Sequence, residues 1–283
     1  MTIAAGMARL QAEAGLCEGG VPTSLPGALT VTPTYEISHD AFLLRLPTGL
    51  AFHYRRGAGT VYACPAGMTD GEVRLFFDGS VYGAIAWLNG LVPLHASAIS
   101  HDGGVYAFTG ISGEGKSTLV AALAERGLSI CSDDVLVLDL SDPDAVMAVP
   151  GHKRLKLWAD ALTLTGRRPD EAVRPGLDKF YVADQLSFDA APLPIRRLYV
   201  LESVVNADPG IAPITGADRF TALRSSYYRP QFCSAIAEQA GYFATAARLS
   251  TAIAMSRLNR SRAMADFATG ISMIEADIRG TIG

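Results

Sequence analysis

Residues 110–117, Gly-Ile-Ser-Gly-Glu-Gly-Lys-Ser, fit the pattern G-x-x-x-x-G-K-[ST]. An apolar run from Val105 to Thr109 leads into them, and a run from Ser117 to Arg126, closed by Gly127, reads as a helix. Few local patterns restrict a chain as much, because each part has a physical task. Glycines let successive backbone N–H groups turn inward as an anion nest, where a Cβ would clash. The following helix adds the partial positive charge of its N-terminus at the same point. Lys116 supplies a mobile ammonium for the β- and γ-phosphates of a nucleotide, and the Ser117 hydroxyl is placed to ligate Mg²⁺. The contacts expected with a nucleotide run over Gly110, Ser112, Gly113, Glu114, Gly115, Lys116, Ser117 and Thr118. A strand before the loop and a helix after it predict an α/β fold around a sheet.

Seventeen residues past Lys116 comes Ser132-Asp133-Asp134. One helix and one short strand fit in that interval, which brings the two aspartates to a strand end beside the loop. Phosphoryl transfer to a hydroxyl needs a metal anchor and a group that orients or deprotonates the nucleophile. Adjacent carboxylates can divide those tasks, since each perturbs the other's pKa. Asp-Asp pairs also make turns and helix caps, but beside such a loop the chemical role is the preferred reading. Which aspartate takes which task is left open by the residues. His95, in Pro93-Leu94-His95-Ala96-Ser97, starts the strand that leads toward the loop; a lone histidine in an apolar run is more often a hydrogen-bonded core residue than a catalyst.

The lysines carry a second signal. Of 24 basic residues only four are lysine, at positions 116, 153, 156 and 179. Arginine is the default cation here, and lysine is kept where a compact ammonium differs from a planar fork. Lys156 and Lys179 are therefore expected to approach the phosphates or the phosphoryl acceptor, and Lys153 to be solvated. The segment from Thr165 to Lys179 reads as a charged, proline-containing loop that holds Arg167, Arg168 and Arg174; it is expected to face the acceptor.

The rest of the 283 residues suits one large domain or two modest ones. Short β segments broken by Pro47-Thr48-Gly49 and Gly57-Ala58-Gly59 predict a small β-rich lobe over residues 1–90, ending in a buried helix from Val81 to Leu88. His95–Ser100 and Val105–Thr109 form a hairpin around Asp102-Gly103-Gly104, and further strands are expected at Ser129–Cys131, Val135–Leu140 and Leu198–Leu201. Residues 91–283 then form the nucleotide-binding domain, with two helical segments in the last 60 or so residues. In the final one Met264, Phe267, Ile271, Ile274 and Ile278 recur at helical spacing after a candidate N-cap, Ser261.

A net charge of −4 without a basic stripe argues against nucleic-acid binding. Four scattered cysteines signal neither zinc nor disulfides. No signal peptide or membrane span is expected, so the chain is read as cytoplasmic. Charged residues make up 18%, against an average of about 25%, a weak pointer to a homo-oligomer.

Taken in order, Leu94-His95-Ala96-Ser97-Ala98-Ile99, the hairpin, Gly110 to Thr118, Arg126-Gly127 and Ser132-Asp133-Asp134 resemble the HPr kinase/phosphorylase family, above all its shorter, divergent kinase-like relatives. Pro150 to Trp158 and Leu177-Asp178-Lys179 are similar to lesser motifs of those relatives, so the resemblance spans roughly residues 75 to 205. It implies the mixed-sheet P-loop core shared with phosphoenolpyruvate carboxykinases, Mg-ATP, and a serine acceptor on a peptide or small protein. Catalytic roles would fall on His95, Asp133 and Asp134, the metal on Ser117 and Asp134, and substrate or phosphate contacts on Arg154, Lys156 and Lys179. The long Gly-rich segment that follows the aspartates in full family members is absent, which argues against reverse phosphorolysis. The N-terminal lobe is unlike the regulatory domain of those enzymes, which argues against HPr as substrate. The preferred acceptor class is a ribosomal precursor peptide, as for relatives found beside lasso-peptide genes. A small-molecule kinase and an ATP-binding switch without an acceptor are the competing readings; neither an NKxD nor an LSGGQ-like motif is present.

Overall fold

A computed structural model describes residues 10, 12–151, 155–173, 176–183, 191–203, 209–236, 239–261 and 266–280. Strands β1 (Leu16–Glu18), β2 (Thr30–Val31), β3 (Tyr35–Ile37), β4 (Ala41–Arg45), β5 (Ala51–Arg55) and β6 (Gly59–Ala63) form one sheet in the order β1-β6-β5-β4-β3-β2. From β2 to β6 it is an antiparallel meander, and β1 runs parallel to β6. Next comes α1 (Asp70–Phe76), whose start is fixed by a capping box between Thr69 and Glu72. A π-helical turn over Phe77–Val81 continues it into α2 (Tyr82–Leu88), every residue of which is buried.

Strand β7 (Val92–His101) turns back into β8 (Gly104–Thr109), and α3 (Lys116–Glu125) follows the glycine-rich loop. Then come β9 (Ser129–Ser132), β10 (Val135–Asp139), β11 (Met147–Val149), β12 (Lys156–Trp158), α4 (Ala159–Thr165), β13 (Pro169–Ala172), β14 (Lys179–Val182), β15 (Leu193–Ser203) and β16 (Gly210–Pro213). Helices α5 (Ala217–Ser226), α6 (Pro230–Ile236) and α7 (Gln239–Ala252) lead to β17 (Ala254–Arg260) and α8 (Phe267–Ile278). The central sheet is mixed, with order β11-β10-β7-β8-β15-β17-β16; β9 also pairs with β7, and β11 reaches round to β15. β8, β15 and β17 are parallel neighbours, so their C-terminal ends open on one side. A smaller sheet, β12-β14-β13, stands beside it.

The central sheet buries both faces. One core cluster joins Phe42, Phe52 and Tyr54 of the first sheet to α2, Leu94, Val137 and Phe232. The other gathers Leu119 and Leu123 of α3, Leu157, Leu162 and the isoleucines of α8 around Phe108 and Tyr199. The boundary expected near residue 90 falls between the first sheet and the central one, and the first cluster crosses it. Among the described residues no helix is long and apolar enough to cross a membrane.

The architecture is mixed α/β; two local expectations need correction, and one strand has no expected counterpart. The segment from Thr165 to Lys179 is not all loop: Pro169–Ala172 is the outer strand of the small sheet, paired with β14. The last helix begins at Phe267, with Asp266 rather than Ser261 at its N-cap position, while Met264 lies outside the described residues. Strand β17, between α7 and α8, has no counterpart among the expected strands. Its Arg257, Asn259 and Arg260 break the apolar pattern, and pairing on both edges, with β15 and β16, overrides local propensity.

Candidate active site

Strand β8 delivers Gly110 to the C-terminal edge of the central sheet, and α3 starts six residues after it at Lys116, with Gly115 at its N-cap. Both glycines are required. Gly110 has φ +151°, and a Cβ there would lie 2.9 Å from the Leu201 carbonyl oxygen. Gly115 has φ +71°, and a Cβ would meet the Arg260 guanidinium at 2.8 Å. Arg260, at the end of β17 and on the wall of the cleft, donates to the Glu114 carbonyl and braces the loop. Lys116 Nζ folds back to donate to the carbonyls of Gly110 (2.8 Å) and Ile111 (3.2 Å). Its side chain is mostly withdrawn from water, which pulls its pKa below the usual lysine value against the opposing pull of Asp134 and Asp133.

The aspartates occupy a kink between β9 and β10, both of which run antiparallel to β7. The Val135 N–H donates to the Asp133 carbonyl at 3.0 Å across Asp134, whose φ is +72°. A one-residue reversal of this kind is a strained γ-turn, and its effect is to aim the two carboxylates differently. Asp133 Oδ1 accepts from the hydroxyls of Ser97 and Ser117, each at 2.7 Å, and Oδ2 accepts from the Lys156 N–H at 3.3 Å. Asp134 instead faces His95, whose Nδ1 lies 3.2 Å from its carbonyl oxygen and 3.4 Å from Oδ1. Burial, reinforced by the charge of Lys116, pushes the His95 pKa below 6.5. The imidazole is therefore neutral at pH 7, and the two oxygens beside Nδ1 select the tautomer that carries its proton there. The resemblance puts the metal on Ser117 and Asp134; in this structure the Ser117 hydroxyl is in contact with Asp133.

Lys116, Lys156 and Lys179 come together in one cleft of about 590 Å³. The cleft also exposes His95, Asp134 and residues 112–118, while Gly110 and Asp133 stand behind Lys116 and Ser117. Lys156 Nζ sits 5.8 Å from the Tyr181 ring, and Lys179 Nζ 5.8 Å from the Trp158 ring. Arg154, Lys153 and Arg174 lie outside the described residues. Arg167 is not among the residues that line the cleft. It pairs with Glu125 at the end of α3 at 2.6 Å, with 7% of its side chain exposed. Arg167→Ala is accordingly expected to cost about 1–2 kcal/mol of stability and to leave the acceptor KM unchanged. Urea unfolding and steady-state kinetics check both halves, and an unchanged midpoint with a raised KM would restore the acceptor-facing assignment.

Two contributors lack a motif. Arg260 is one, at the end of a strand with no counterpart among those expected. The other is Tyr228, whose ring lies 6.0 Å from that of His95. Its backbone is held on both sides: the N–H donates to the Pro93 carbonyl and the carbonyl accepts from Trp87 Nε1, both at 2.9 Å. Gly79 and Gly83 leave the slot it fills, since a Cβ on Gly83 would come within 2.7 Å of the ring and one on Gly79 within 3.0 Å of the hydroxyl. Two glycines four residues apart in a buried helical stretch are the available signal. Gly83→Ala is expected to destabilise the protein by about 1–3 kcal/mol through overpacking and to lower turnover by displacing Tyr228 from His95. Chemical denaturation at wild-type midpoint would contradict it.

Neither a protein-family model nor a curated protein sequence matches the chain. Among solved structures it is similar to the Hpr(Ser) kinase/phosphatase from Coxiella burnetii, at 12% sequence identity and a TM-score of 0.35, over 68% of this chain and 99% of that one.

Proposed function

We propose that the chain is an ATP-dependent kinase that transfers the γ-phosphate to a serine or threonine hydroxyl of a peptide or small protein. The observation that carries this reading is the divided carboxylate pair: Asp133 is bound to Ser117 of the glycine-rich loop, while Asp134 is turned to His95 in the same lysine-lined cleft. A nucleotide whose phosphates lie along residues 112–118 has Lys116 at its β- and γ-phosphates. Among the described residues no group of three or more His, Cys, Asp or Glu side chains gathers to hold a metal by itself. Ser117 and Asp133 present hard oxygen donors in contact with each other, which suits Mg²⁺, an ion that keeps waters and phosphate oxygens in its shell. Bound there, Mg²⁺ would neutralise charge on the phosphates.

The chain's own groups account for the remaining tasks. Asp134 accepts the proton of the attacking hydroxyl, and neutral His95 holds that carboxylate in place through Nδ1. Lys156 and Lys179 offset the charge that spreads over the transferred phosphoryl group. A serine side chain in line with the γ-phosphate is favoured over water because the site, not diffusion, orients it. Incubation with labelled ATP and candidate peptides, read by mass spectrometry, tests the proposal. An acid-stable phosphoserine or phosphothreonine supports it. A phosphorylated metabolite would move the reading to a small-molecule kinase, and rapid ATP hydrolysis unaffected by any acceptor would replace it with an ATPase switch.

A further inference from the structure

Trp158 ends β12 with 47% of its surface exposed, on the wall of the cleft that holds the glycine-rich loop. Its strand does not call for a large apolar side chain in water, since the other two residues, Lys156 and Leu157, are buried. The strand instead fixes where the indole stands relative to the reacting end of the cleft. The Lys156 N–H donates to Asp133, which anchors that end of β12 beside Ser117. Side chains two apart share a face of a strand and are about 7 Å apart. Trp158 therefore lies on the face of Lys156, one step further from the aspartates, a separation of the size of the sugar between a nucleotide's phosphates and its base. Ala161 and Leu164, on the helix that begins at the next residue, add an apolar wall to the cleft. Lys179, directly opposite Trp158 in the small sheet, holds its ammonium over the indole face. An exposed cation–π contact is weak enough to exchange for another partner.

We propose that Trp158 is the stacking platform for the base of the bound nucleotide, and that Lys179 leaves the ring for the phosphates when the base arrives. This inference rests on the nucleotide-site reading above. Stacking on an indole tolerates any base, because each has a π face; the site would take purine nucleotides with little discrimination between adenine and guanine.

The test compares ATP with inorganic triphosphate, each with Mg²⁺, by calorimetry on the full-length wild type, Trp158→Ala, Trp158→Phe and Lys116→Ala. Trp158→Ala should weaken ATP binding about tenfold and leave triphosphate binding unchanged, whereas Trp158→Phe should keep ATP affinity within about threefold. ATP should also quench indole emission in the wild type but not in Trp158→Ala, since the chain's other tryptophan, Trp87, is buried. Wild-type ATP affinity in Trp158→Ala, or an equal loss for both ligands, would overturn the stacking role alone. If the wild type bound neither ligand, or Lys116→Ala bound both as tightly as the wild type, the nucleotide site itself would fall.

Discussion

Lys116→Ala is expected to cut phosphoryl transfer by at least ~10²-fold and to leave the fold intact. Lys116 is 7% exposed, and among the described residues its ammonium donates to Gly110 and Ile111, two carbonyls of its own loop, so its loss breaks no hydrogen bond between elements. What disappears is the charge that, under the proposed function, moves from those carbonyls to the β- and γ-phosphates when a nucleotide enters. Lys116→Arg should fail nearly as completely. A planar fork with five donors needs more room than a cradle closed by Gly110, Gly113 and Gly115, with Arg260 already against the last of these. Circular dichroism and thermal unfolding should match the wild type in both variants, while ATP affinity and turnover fall. Normal turnover in either variant would refute the assignment of the loop.

How much of this site can be read without coordinates depends on how local its causes are. The strand, loop and helix around residues 110–117 are legible because glycines, a lysine and a hydroxyl at fixed spacing leave few other conformations. The lysine distribution is also legible: three of the four lysines meet in one cleft, since selection for an ammonium marks a position whatever the fold around it. The different partners of Asp133 and Asp134 are not legible, because a single reversed residue at Asp134 decides them. Arg260 and Tyr228 escape for a different reason. Each reaches the site from a part of the chain more than a hundred residues distant from the group it supports, Glu114 or His95, and the pairing that brings it there is made by the sheet. Arg167 misleads in the opposite sense: a charged residue in a proline-containing segment reads as acceptor-facing, yet Glu125 gives it a partner against the end of α3.

The two aspartate variants should separate what sequence leaves joined. Asp134→Asn is expected to hold nucleotide affinity close to wild type and to lower transfer by ~10² or more. Asparagine tolerates the positive φ of that position as aspartate does, so the turn should survive and only the proton acceptor is lost. Asp133→Asn should behave differently. Its amide oxygen can still accept from Ser97 or Ser117, but the amide nitrogen would then face the Lys156 N–H, donor against donor, where Oδ2 now accepts. That conflict should loosen both Ser117 and β12, weakening Mg-ATP binding as well as transfer and raising the Mg²⁺ concentration needed for half-maximal rate. Titrating Mg²⁺ against rate for each variant resolves the two cases. If Asp134→Asn shifted the Mg²⁺ requirement and Asp133→Asn did not, the roles assigned here would have to be exchanged; if both variants transferred phosphate normally, the pair would be a turn and nothing more.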